Sequence, residues 1–221
     1  MPRHPTLAYV APFAVYVGLL AVQRWIPLPV PALHSLRFAI VLGVIAVVSR
    51  PVLSLRPSVP IASIGVGIAV FLIWIGPDLL FGYRHSAPFE NALTGHAVST
   101  LPANLRQDRF FLALRLLTTA GLVPILEELF WRGWMMRWLM QSKDFWKVPL
   151  GAYQPFAFWT VAVLFASEHG PYWEVGLLAG IVYNWWLIRT KNLADCILAH
   201  AVTNGILAIY VLAAGQWQYW L

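Results

Sequence analysis

One cysteine, Cys196, stands in 221 residues, so an intramolecular disulfide is excluded. A lone thiol in such surroundings reads as a small buried apolar residue. Charge is scarce as well. Asp, Glu, Lys and Arg make up 11% of the chain, where soluble domains carry about a quarter. A soluble domain of this length could not cover its surface with so few charges, and the composition reads as an integral membrane protein. Missing motifs exclude several chemistries. There is no H-E-x-x-H pair for a helical zinc site, no G-x-S-x-G serine elbow, no Gly-rich phosphate loop and no C-x-x-C. Internal repeats and low-complexity tracts are absent too. The formal charge of +6 does not read as a nucleic-acid surface, because the basic residues are scattered through short loops. That scatter fits topology signals and contacts with anionic headgroups.

What the chain has in abundance is apolar length. Hydrophobic residues reach 60%, with 12 Trp, a residue whose ring favours the headgroup level. Crossing about 30 Å of hydrocarbon takes roughly 20 residues. The predicted spans are Leu7–Gln23, Ser35–Ser49, Val59–Gly76, Phe110–Leu126 with a continuation to Met140, Pro155–Glu168, Trp173–Ile188 and Leu193–Ala214. An all-α polytopic bundle of about seven to eight transmembrane helices follows, as one domain over residues 1–221. The N-terminus, with a basic start but no small-x-small cleavage site, reads as a retained first span rather than a signal peptide. Phe110–Met140 is too long for one perpendicular helix, and Pro124 predicts either a kink or a division into two. The connection Pro77–Arg109 is polar enough to lie outside the bilayer, with room for a short interfacial helix. Arg3, Arg50, Arg56, Arg137, Lys143, Lys147, Arg189 and Lys191 on one side outnumber Arg24, Arg37, Arg84, Arg106 and Arg109 on the other. That asymmetry predicts an inside N-terminus.

Within the apolar runs, three polar sets stand out: Glu127/Glu128/Arg132, Glu168/His169 and His200/Asn204. An ionisable residue at a span's centre costs about 2.5–3.5 kcal/mol, so each set is a functional candidate by default. Glu128 and Arg132 are four apart and share a helix face, which predicts an ion pair. Glu127 lies about 100° around the helix and is left free to act. His200 and Asn204 are also four apart, and could donate two hydrogen bonds to one oxygen, as oxyanion stabilisation requires. Both sets also suit a structural role, as an ion-pair knot or as glue between helices. A carboxylate and a histidine from different helices can together activate water, directly or through a metal.

These residues resemble the CPBP intramembrane proteases, named for CAAX proteases and bacteriocin-processing enzymes. "EELFWRG" is similar to their EExxxR motif, "FASEH" to FxxxH and "HAVTN" to HxxxN/D, in the family's order, over a motif-bearing core of about residues 110–214. The run "EELFWRGWMMRW" also resembles members that accompany exosortase-type protein sorting. The resemblance, carried by the three motifs together rather than by any one, implies an all-helical membrane fold around a wet cavity that opens into the bilayer. It implies that Glu127 and His169 activate the hydrolytic water. His200 and Asn204 then hold the scissile carbonyl or its oxyanion, while Glu128 and Arg132 pair. The expected activity is hydrolysis of a membrane-anchored or lipidated, CAAX-like peptide, with membrane lipids and that substrate as partners and no nucleic acid. A bacterial cytoplasmic membrane is the expected location. Two cofactor readings follow: a divalent metal such as zinc on Glu127, His169 and His200, or no metal. The alternative function is a non-catalytic binding protein of the same fold, an immunity or sorting partner; a transporter ranks below both. Glu168, next to His169, is expected to point away from it. The depths of His169, at a span end, and Glu127, well inside one, call for a re-entrant or tilted segment or a deep funnel.

Overall fold

The computed structural model describes residues 5–99 and 101–220, so Arg3 lies outside the described residues. Among them are seven main helices and no strand: α1 Pro5–Trp25, α2 Val30–Ser49, α3 Pro60–Phe81, α4 Arg109–Met140, α5 Pro155–Ser167, α6 Trp173–Thr190 and α7 Leu193–Ala214. Five of these (α1–α4 and α7) are long and apolar enough to cross a membrane. Apolar side chains also cover the outside, with Val47 and Ile61 80% and 86% exposed. A face of that kind belongs in lipid, and the chain is an integral membrane protein.

Local chemistry sets the helix ends. Proline occupies the first turn of α2, α3 and α5, where the missing amide hydrogen costs nothing. The side chains of Asp108 and Asn192 accept from the amides of Phe111 and Ala194, capping α4 and α7. α3 runs on through Pro77, past the expected end at Gly76. It stops at Gly82, whose φ of +60° turns the chain and lets its amide bond Asp78. The expected interfacial helix after it does not form. In that connection Asn91 accepts from the amides of Leu93 and Thr94, and such local bonds compete with helix.

α4 is one continuous helix, which settles the two readings of Phe110–Met140. It absorbs Pro124 by widening its turns over Thr118–Leu122, where the amide of Val123 bonds the Thr118 carbonyl five residues back. A second wide stretch covers Leu129–Met135.

Two devices hold α3 against α7, the helix that carries His200. At Gly67, an added Cβ would stand 2.5 Å from the Ala199 carbonyl oxygen and 2.7 Å from the Val202 Cβ, so only glycine permits the approach. Asp195, fully buried, reaches across to the start of α3. Its carboxylate accepts from the amides of Ser58 (3.1 Å) and Val59 (3.0 Å) and from the hydroxyls of Ser58 and Ser63. It thus caps α3 from another helix.

α5 has 13 residues and spans only about 20 Å, short of a bilayer, and the chain turns at His169 as it leaves that helix. The connection 82–108 covers that end. Arg84, 1% exposed, bonds Glu174 at 2.8 Å, and Phe89 stacks on Trp173.

Replacing Asp195 by Ala leaves two amides and the Ser58 hydroxyl without their acceptor. A loss of about 2–4 kcal/mol is expected, read as a lowered midpoint of thermal unfolding in detergent.

Candidate active site

The centre of the site is an ion pair made inside the protein. Glu128 and Arg132, four residues apart on α4, both have no exposed side-chain surface and pair at 3.2 Å. Two bare charges at this depth would be costly, so their remaining bonds matter. Arg132 Nε donates to Asn184 Oδ1 at 2.9 Å and Nη2 donates to the Gly180 carbonyl, both on α6. The guanidinium also lies 4.4 Å from the Phe165 ring centroid. Asn184 is held in turn by its own amide on the Phe158 carbonyl.

His200 of α7 completes the knot. Its Nδ1 lies 2.9 Å from Glu128 Oε1. The carboxylate, already paired with Arg132, can only accept there, so Nδ1 carries the hydrogen. The ring stacks on Tyr183 with centroids 5.0 Å apart, and its Nε2 stands 3.9 Å from Glu127 Oε2. Glu127 has no salt bridge to Arg132, and its Oε2 is buried without a hydrogen-bond partner. The helical offset that sends Glu128 to the arginine therefore turns Glu127 elsewhere.

It faces a cavity of about 150 Å³, room for several waters. Glu127, His169, His200 and Asn204 all line it, with Trp74 and Tyr183 among its walls. His169 is oriented by its backbone neighbour: Nδ1 donates to the Phe165 carbonyl at 2.8 Å, so Nε2 keeps its lone pair. The ring sits edge-on to Trp74 and against Gly176, where an added Cβ would come within 3.0 Å of Nδ1. Glu168 turns from its neighbour, accepting from Trp131 Nε1 at 3.2 Å.

Asn204 has a second attachment. Its Nδ2 donates to the Thr119 carbonyl at 3.0 Å. In the widened turn that carbonyl would take the amide of residue 124, which is proline. The side chain of α7 thus supplies the hydrogen bond that Pro124 cannot, and one amide hydrogen remains for the cavity.

Among the described residues, no group of three or more His, Cys, Asp or Glu side chains converges closely enough to hold a metal ion. Glu127, His169 and His200 are not gathered into such a group.

Residues 109–206 match the family described as type II CAAX prenyl endopeptidase Rce1-like, slightly under half of the chain. That segment is therefore similar to the family, which supports the resemblance to the CPBP proteases. This is a family of proteases, and the match reaches the family rather than the exosortase-associated subgroup. No curated protein and no solved structure gives a significant match.

The matched segment holds both glutamates, the arginine and both motif histidines. It does not include Trp74, which α3 brings against His169. Trp74, Tyr183 and Gly176 were not legible as site residues: each is a common apolar, aromatic or small residue whose role depends on what packs beside it. Asn184, a lone carboxamide in the apolar run "VYNWW", was the available signal.

Arg132→Ala would strand the buried Glu128 carboxylate and is expected to cost about 3–5 kcal/mol, measured by thermal unfolding. Gly176→Ala should leave the fold largely stable but push the His169 ring aside. A fall of about 100-fold in peptide hydrolysis is expected, measured as kcat in detergent alongside an unchanged far-UV circular dichroism spectrum.

Proposed function

We propose that this protein is an intramembrane endopeptidase that hydrolyses a peptide bond of a membrane-anchored or lipidated, CAAX-like substrate by Glu127/His169 water activation. The observation that carries this reading is the convergence of Glu127, His169, His200 and Asn204 on one small cavity inside an apolar bundle. A water there meets an unpartnered carboxylate oxygen of Glu127 and the Nε2 lone pair of His169. Glu127 takes a proton from the water as its oxygen attacks the scissile carbonyl. The C–N bond then breaks, and the proton passes to the departing amine.

His200 and Asn204 stabilise the oxyanion. Because Nδ1 of His200 already donates to Glu128, its Nε2 donates only when the ring carries both hydrogens. Glu127 Oε2 lies 3.9 Å from that nitrogen. Asn204 contributes its remaining amide hydrogen. The Glu128–Arg132 pair holds His200 in register, and low surrounding polarity strengthens each of these interactions.

The partners under this reading are bilayer lipids and the anchored substrate, with no nucleic acid, and the location is the bacterial cytoplasmic membrane. The competing reading, a non-catalytic immunity or sorting partner of the same fold, leaves the free Glu127 carboxylate without a purpose.

The test is cleavage of a panel of membrane-anchored and prenylated peptides by purified protein, with and without a chelator. Glu127→Gln and His169→Ala should each lower the rate by about 100- to 10,000-fold. Equal cleavage by wild type and both variants would refute the assignment.

A further inference from the structure

A second cavity, of about 720 Å³, lies at the end of the bundle where α1 stops and α2 and α4 begin. Its charge is one-sided: Arg24, Arg37 and Arg115 line it with His34, and none of its described lining residues is acidic.

The hydrogen bonds fix where that charge lies. Arg37 Nη2 is 3.1 Å from His34 Nδ1. A guanidinium only donates, so Nδ1 accepts and the imidazole is neutral, with its Nε2–H on Thr118 Oγ1 at 3.0 Å. The Thr118 hydroxyl passes its own hydrogen to the Leu114 carbonyl. The positive charge therefore belongs to the arginines. Arg115 is braced by the Trp220 carbonyl and ring. Arg37 donates to two neutral groups, Gln23 at 2.9 Å and His34, and its buried Nε has no hydrogen-bond partner. Arg24 stands over the Trp25 ring, 4.3 Å from its centroid. Among the described residues, no carboxylate forms a salt bridge with Arg24 or Arg37. A cation drawn partly out of water without a counter-charge is costly. Two of them on one cavity leave a place for an anion.

The rim indicates which anion. Leu28 and Val30 line the same cavity yet are 44% and 51% exposed, and Trp25, beside Arg24, is exposed as well. Guanidinium groups within and apolar surface at the mouth match a ligand with an anionic head and a hydrocarbon tail. A small inorganic anion would leave that rim uncovered. Phosphate oxygens suit the planar guanidinium fork, which can donate two parallel hydrogen bonds.

We propose that this cavity binds the phosphate of an anionic phospholipid through Arg37 and Arg24, with its acyl chains running out over Leu28 and Val30. Bound there, the lipid joins α1 and α2 across their connection. The site does not depend on the protease reading, since it uses none of the groups around Glu127. A ligand that binds only the folded protein also stabilises it by mass action.

The test uses full-length protein, delipidated in dodecyl maltoside and titrated with phosphatidylglycerol, phosphatidylcholine or water-soluble glycerol phosphate. Native mass spectrometry counts the bound molecules, and the thermal unfolding midpoint follows each titration. One phosphatidylglycerol should be held about 30-fold more tightly than phosphatidylcholine, and should raise the midpoint. Arg37→Gln and Arg24→Gln should each lower that preference about fivefold. Arg37→Lys, which keeps the charge without the fork, should fall between wild type and Arg37→Gln. Arg50→Gln, at the opposite end of α2, should leave the preference unchanged. Arg24 is exposed, so its variant carries the test should Arg37→Gln fail to fold.

Equal affinity of wild type for the two lipids would overturn the proposal, as would a full preference in the folded Arg24 and Arg37 variants. An equal loss in Arg50→Gln would also overturn it, because the preference would then report general surface charge. Glycerol phosphate binding as tightly as phosphatidylglycerol would make this a free-anion site instead.

Discussion

A buried carboxylate with two cationic or donating neighbours organises this molecule. Glu128 cannot be left alone at zero exposure, and it is bonded by Arg132 from its own helix and His200 from α7. Arg132 extends the network to α6 through Asn184 and Gly180. Two helices therefore meet at Glu128 Oε1, and Arg132 ties in the third. Replacing a buried pair by apolar groups is often harmless to stability, so its retention here is better explained by what it positions. It fixes the tautomer and tilt of His200 and leaves Glu127 with no cation to satisfy.

The second constraint is a backbone one. Pro124 removes an amide from α4, the helix widens ahead of it, and the exposed Thr119 carbonyl is taken by Asn204. Broken helices in membranes survive because neighbouring side chains satisfy the freed groups. Here the repair comes from the same face of α7 that carries His200, so the break and the site share one partner. Thr118 and Thr119 of the widened turn, with Val123 after it, also line a second cavity of about 720 Å³, and Val123 lines the catalytic one as well. A helix of ordinary pitch, without proline, would have no orphaned carbonyl at that wall.

The tryptophans show where composition misleads. Their number fits anchoring at the headgroups, yet Trp74, Trp131 and Trp186 are buried. They are tolerated there because burial is matched by hydrogen bonding: Trp131 to Glu168 and Trp186 to Ser63. Trp74 instead presents its ring to His169, giving the imidazole an apolar wall.

Much was written in the chain itself. The scarcity of charge and the length of the apolar runs determined a membrane helix bundle, because exposed apolar surface must find lipid. The spacing Glu128–Arg132 determined an i,i+4 pair, because helical pitch puts those side chains on one face, and the three motifs carried the resemblance to the CPBP proteases. The tertiary structure decided what periodicity cannot encode. It made α4 one helix despite Pro124, since the repair comes from a residue eighty positions away in sequence. It shortened α5 so that His169 lies near Glu127, and turned Glu168 aside to Trp131. It gathered Arg24, Arg37 and Arg115, scattered among topology signals in the sequence, onto one cavity beside the site. Contacts between residues distant in the chain set each of these, and no local pattern records them.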